Sequence, residues 1–205
     1  DYGKFPWDCQ WNGPSWPFAT SQTLVALANL LNAYQQDVID AKAYWETLQI
    51  YTKSHAFRQI PPEGAKNGVE KIVKEDLPWI DENLDPYTGN WLTRYRLHAK
   101  PAEWAKRPER GKDYNHSTYC DLIINGLVGL RPETGGRVVL NPLIPEGEWD
   151  WFCLEKVPCH GQILTVFWDR DGSKYGRGKG LQVIRNNQVI ASRPDLGKLE
   201  FDLSE

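Results

Sequence analysis

The chain has 205 residues, a formal net charge of −3 and a 40% apolar share, which bounds it to one large globular domain or one and a half ordinary ones. Its charges are mixed in sign, so no basic field exists to hold nucleic acid or an anionic membrane; no apolar run is long enough to span a bilayer, and no targeting segment is visible, which sets the expectation of a soluble protein. There is no Met, not even at position 1, yet there are ten Trp and nine Tyr, which reads as a processed product or a piece of a longer protein.

Residues 1–16, DYGKFPWDCQWNGPSW, form an aromatic loop holding Trp7, Trp11 and Trp16 among Pro6, Gly13 and Pro14. Trp16-Pro17 sets an extended approach to the next element, and Thr20 or Ser21 is placed to cap it. From Ser21 to Tyr34 the apolar residues Leu24, Leu27, Leu31 and Tyr34 recur at three and four, one face of a helix. Val25 and Leu30 widen that stripe and predict a well-buried helix. Asp40 caps a second helix with Tyr44, Trp45, Leu48 and Tyr51 on one side. The short link between the two predicts an antiparallel helical hairpin. Residues 58–76, with Pro61-Pro62, Gly64 and Gly68, read as loop around a weak helical patch at Val69–Val73.

Pro78–Trp91, PWIDENLDPYTGNW, concentrates Asp81, Glu82 and Asp85 between two tryptophans, with Asp76 just upstream. Pro86 and Gly89 keep it out of a helix interior or a central strand. Its plainest reading is a solvated turn that Asp85-Pro86 opens. A loop this rich in carboxylates and rings is also where chemistry sits on a rigid scaffold. Residues 92–112 are basic and loop-like, with PAEWAKR as a short helix starting at Pro101. Ser117 then caps a helix carrying Tyr119, Leu122, Ile123 and Leu127, which Gly129 ends and Pro132 blocks. Asp121 on this helix is placed to pair with an arginine.

After Glu133 the period changes to two. Residues 138–140, 149–154, 163–168, 181–184, 188–191 and 199–203 read as short strands. Asn186-Asn187 suits a tight hairpin turn with positive φ. Asp169–Gly172 opens like a calcium loop but lacks the later glutamate, so it reads as a turn, and GRGKG at 176–180 reads as a hairpin tip. Cys9, Cys120, Cys153 and Cys159 fit no zinc spacing, and serve as disulfides or as small buried apolar groups. The predicted division is therefore a helical part over 1–134 and an antiparallel β domain over 135–205.

Three segments, Cys9–Leu24, Asp81–Leu92 and Lys112–Pro132, together resemble the C-terminal part of (α/α)6-barrel glycoside hydrolases, in the mannosylglycerate-hydrolase-like and family 63 glucosidase-like group of the six-hairpin glycosidase superfamily. The β tail resembles the β-sandwich that follows the barrel in many relatives. The resemblance implies an α-then-β fold: helical hairpins of an incomplete barrel, then a small sandwich. The family pattern Glu-x-Tyr-Asn/Asp-Pro-x-Thr-Gly, which carries the general base, reads here Glu82-Asn83-Leu84-Asp85-Pro86-Tyr87-Thr88-Gly89, with Leu84 where an aromatic is usual. The family's Trp-Arg-Gly-Pro-x-Trp reads Trp11-Asn12-Gly13-Pro14-Ser15-Trp16, with Asn12 at the arginine. Tyr114–Ser117 matches the loop before the last barrel helix.

By this resemblance the chain is a portion of an inverting hydrolase of an α-linked glycoside. Such an enzyme holds two carboxyl groups about 6.5–9.5 Å apart so that a water fits between them. Glu82 is then the base that activates the water, Trp11, Trp16 and Trp79 supply flat walls for the sugar, and Asn12 and His116 bond its hydroxyls. The general acid is an Asp upstream of the Trp-Asn-Gly-Pro segment. A full barrel needs about twelve helices against three or four here, so the partner is expected to be the remainder of the same polypeptide, and the isolated fragment to be inactive and to self-associate through exposed helix faces. Some relatives carry a structural cation, but nothing in these residues implies a metal or a cofactor. The alternative is a non-catalytic carbohydrate-binding or structural module that uses the aromatic loops.

Overall fold

In the computed structural model the described residues are 14–57, 77–86, 91, 113 and 118–204. The chain forms two compact units, one of residues 1–23 and 47–117, the other of 24–46 and 118–205. A helical N-terminal part is followed by two antiparallel sheets.

Helix α1 runs Pro17–Ala33 and α2 Ala41–Lys53. The first starts four residues before the expected Ser21. Proline suits the first helical position, where its missing N–H is needed by no carbonyl. Thr20 and Ser21 consequently lie inside the helix, and their hydroxyls donate back to the Trp16 and Phe18 carbonyls instead of capping. The buried row is Ser21, Leu24 and Ala28, while Val25 and Tyr34, expected in the stripe, are exposed. In α2 the expectation holds in detail. The Ala43 N–H donates to Asp40 Oδ1 at 2.9 Å, and Tyr44, Trp45, Leu48 and Tyr51 are all buried. Between the helices Gln36 imitates a turn. Its Oε1 accepts the Val38 and Ile39 N–H groups and its Nε2 donates to the Ile39 carbonyl.

In the first unit, two-residue strands β1 (Ala56–Phe57) and β2 (Leu77–Pro78) pair antiparallel. In the second, the helix after Thr118 begins as one α-turn, α3 (Tyr119–Asp121), and continues as a π-turn over Leu122–Leu127. Ser117, the expected cap, and the segment 92–112 lie outside the described residues. The π-turn faces Tyr44, whose hydroxyl donates to the Leu122 carbonyl at 2.8 Å. Burial holds that hydroxyl protonated well above the ordinary tyrosine range, with Arg131 opposing. The chain reverses at Gly129 (φ +76°), where an added Cβ would lie 2.0 Å from the Asn141 carbonyl oxygen; only glycine fits.

Strands β3 (Leu130–Pro132), β4 (Arg137–Leu140) and β9 (Leu199–Asp202) form one sheet in the order β3-β4-β9. Strands β5 (Trp151–Cys159), β6 (Gln162–Asp169), β7 (Gly180–Arg185) and β8 (Gln188–Arg193) form a four-stranded meander. Five of these strands carry the expected period-two segments within a few residues. The sixth, β5, starts at 151 rather than 149 and runs on to Cys159, because a bulge between Leu154 and Val157 lets it bend and continue. The central strands are buried on both faces, with Val166–Asp169 and Leu181–Ile184 covered throughout. Asn186 and Asn187 turn at φ +50° and +63°, as their side chains permit. In this unit α1 is tied to the β part by Asn141 Nδ2 donating to Asn32 Oδ1 and by Arg131 Nη1 donating to Asn29 Oδ1, each 2.9 Å. Trp45 meets Trp149 edge-on at 5.3 Å. Arg131 also donates to the Asn125 carbonyl; among the described residues Asp121 has no arginine partner.

The Asp169–Gly172 segment is a turn, and its carboxylate organises it. Asp169 is 1% exposed; its Oδ1 accepts the Gly172 N–H, and its Oδ2 accepts those of Lys174 and Tyr175. Replacing it by Ala leaves three backbone donors without their acceptor. The expected loss is about 1–3 kcal/mol for such unmade bonds, read as a lower urea midpoint with an unchanged denaturant slope.

Candidate active site

Three described residues from different parts of the chain meet on Ile80–Leu84. The first is Ser15, which follows the Trp-Asn-Gly-Pro segment. It exchanges two backbone hydrogen bonds with Leu84: Ser15 N–H donates to the Leu84 carbonyl at 2.8 Å, and Leu84 N–H to the Ser15 carbonyl at 2.9 Å. The second is Trp91, at the far end of the acidic stretch itself, which bridges antiparallel to Leu84. The third is Asp113, before the last helix, whose N–H donates to the Ile80 carbonyl at 3.0 Å. A fourth tie comes from the end of α2, where the His55 carbonyl accepts the Trp79 N–H at 3.1 Å.

A proline-bearing loop cannot hold itself by a ladder, so its apolar side chains do that work. Ile80, Leu84 and Trp91 are buried in one cluster, with Trp79 packed on it. The Trp91 indole N–H reaches the Ala56 carbonyl at 3.3 Å. Leu84 is thus a core residue 8% exposed. Ile80, Asp81, Asn83 and Leu84 are all buried, and Glu82 among them is only partly covered.

Of the residues expected from sequence, Glu82, Trp79 and Trp16 are described. Glu82 and Trp79 share one loop, and Trp16 adjoins the Ser15 pairing. Trp11, Asn12 and His116 lie outside the described residues. The residue that sequence reasoning passed over is Asp81. It is 1% exposed; its Oδ1 accepts the Glu82 N–H at 2.9 Å and its Oδ2 accepts the Trp79 indole N–H at 3.3 Å. One of a run of acidic residues, it carries no signal of burial. The alternation Ile80, Glu82, Leu84 would even point it the other way from the apolar cluster. Among the described residues no three metal-ligating side chains come together, and no helix is long and apolar enough to cross a membrane.

His55, whose carbonyl makes the fourth tie, is held by Tyr51. Its Nδ1 lies 2.7 Å from the Tyr51 carbonyl and its ring sits edge-on to Tyr51 at 4.8 Å. Burial pushes its pKa down, against bonds to the Tyr51 and Thr52 carbonyls that pull it up. A folded pKa below the unfolded one means that the unfolded chain takes up the proton first as pH falls. Stability from this group is therefore complete above the ordinary histidine value of about 6.5 and is lost as pH falls below it through the lowered folded value. Thermal melts from pH 7.5 down to 5 should show a falling Tm, with a shallower slope in His55→Gln.

Residues 1–117, more than half of the chain, match the family model described as "Mannosylglycerate hydrolase MGH1-like glycoside hydrolase domain". Residues 130–190 match "Glycosyl hydrolase family 65, C-terminal domain". A solved structure described as "Sialidase" superposes with a TM-score of 0.79 at 36% identity over 98% of this chain. The chain spans 16% of that protein's length. With the family match covering more than half of its length, the chain belongs to the MGH1-like glycoside hydrolases.

Proposed function

We propose that this chain is part of an inverting glycoside hydrolase acting on an α-linked glycoside, with Glu82 as the general base and the acid, an Asp, contributed by polypeptide outside these 205 residues. The observation that carries the reading is the convergence of Ser15, Trp91 and Asp113 on the loop of Glu82. Glu82 would deprotonate the attacking water while the acid protonates the leaving oxygen on the other side of the sugar. Trp16 and Trp79 would wall the sugar, as would Trp11, and Asn12 and His116 would bond its hydroxyls. The helical segments would be the last hairpins of an (α/α)6 barrel, and 1–134 and 135–205 the catalytic portion and the appended β domain. That division is supported by the change of period after Glu133, although β3 already begins at Leu130. The substrate is a carbohydrate, and the partner is the rest of the polypeptide.

The test is cleavage of a panel of aryl α-glycosides by the full-length gene product beside the isolated 205 residues. Release of the aryl group by the full-length protein and not by the isolated chain is expected. A full-length protein that binds glycans and cleaves none of them would instead favour the carbohydrate-binding module.

A further inference from the structure

We infer that Asp81 is a positioning residue for Glu82, its buried carboxylate clamping the Glu82 backbone and the Trp79 indole together as one rigid piece. This rests on Glu82 being the base.

Three observations support it. First, Asp81 is buried at 1% exposure beside a base that is not. A carboxylate taken out of water is costly unless donors surround it, and a solvated acidic turn has no reason to bury one. Second, among the described residues its two oxygens serve two different partners. Oδ1 accepts the N–H of Glu82 at 2.9 Å, and Oδ2 the indole N–H of Trp79 at 3.3 Å. A simple turn former uses its side chain on the backbone alone; this one also joins a ring that packs on the Ile80, Leu84 and Trp91 cluster. Third, the loop is fixed on either side of Glu82, at Ile80 by Asp113 and at Leu84 by Ser15. The Asp81 carboxylate closes the stretch between those ties. A base must be held to a fraction of an ångström, since misplacement by about 1 Å costs about 10²-fold.

Asp81→Asn keeps the shape but offers one acceptor oxygen and an N–H₂ where there were two acceptors, so one of the two contacts is lost. The test is made in the full-length protein with the 4-nitrophenyl α-glycoside that the wild type cleaves, comparing Asp81→Asn in the wild-type and Glu82→Gln backgrounds. A residue acting through Glu82 has nothing to act on once Glu82 is gone, so the two losses should not add. The expected result is a fall in kcat of about 10- to 100-fold with KM nearly unchanged, and almost no further fall when Glu82 is already Gln. Wild-type kcat in Asp81→Asn would overturn the inference, and so would an equal loss in both backgrounds, which is what a general loss of folding gives. If Asn is not tolerated in so buried a place, Asp81→Ser, smaller and still an acceptor, should show the same non-additivity, and its absence would count equally against the clamp. If Glu82→Gln alone keeps wild-type kcat, the assignment of the base itself fails, and this is told apart because it appears without any change at Asp81.

Discussion

Glu82→Gln in the full-length protein should lower kcat by about 10²–10⁴-fold, the usual contribution of a positioned acid or base, while substrate still binds. Glutamine keeps the volume and one acceptor oxygen but cannot take the proton of the attacking water. The loop should survive the change. Its backbone ties run through Ser15, Trp91, Asp113 and His55, and the Glu82 contact with Asp81 uses the backbone N–H, which the substitution leaves in place. KM should move little, because the base acts on the water rather than on the sugar's binding contacts. The check is steady-state kinetics beside equilibrium binding of the same aryl glycoside, with a thermal melt to show that folding is unaffected.

The second large effect concerns stability. Gly126→Ala should destabilise the protein by about 1–3 kcal/mol, the range for forcing extra volume into a packed site. A Cβ at position 126 would lie 1.9 Å from Tyr44 Oη and 2.8 Å from its Cζ. Tyr44 is fully buried and its hydroxyl is anchored on the Leu122 carbonyl, so the ring cannot withdraw cheaply. Tyr44→Phe alone gives up that hydrogen bond, worth about 0.5–1.5 kcal/mol. In the double variant the hydroxyl that meets the new methyl is gone and only the contact with Cζ remains. The two losses should therefore be sub-additive, by the logic of a double-mutant cycle. Urea denaturation of the four proteins measures it, and full additivity would mean that the methyl is accommodated by moving the π-turn instead.

Local periodicity carried most of the fold. The four-residue face of α2 and its Asp40 cap, the period-two segments from 138 onward and the Asn186-Asn187 turn are all encoded within a few residues of where they act, and they appear as expected. What was not legible depends on contacts between distant residues. α1 starts at Pro17, since proline serves the first helical turn as readily as it breaks a later one. β3 is three residues ending in Pro132, too short to show a period; it exists because it lies at the sheet edge, where a proline's missing N–H costs nothing. The π-turn is bonded through its Leu122 carbonyl to Tyr44, 78 positions away. At the proposed site Glu82 is singled out by the family pattern alone. Asp81 is not, because a carboxylate in an acidic run reads as solvated until the donors of Trp79 and Glu82 are seen around it.

The measurement that tests the central claim most directly is azide rescue of Glu82→Ala in the full-length protein, on the aryl α-glycoside the wild type cleaves. If Glu82 is the base, removing its side chain leaves space beside the attacking water. Azide is anionic and needs no base, so it can attack the anomeric carbon from that side while the acid still protonates the leaving group. The expected result is a rate restored in proportion to azide, with a β-glycosyl azide as product. Turnover by Glu82→Ala at the wild-type rate without azide would contradict the assignment of Glu82 as the base.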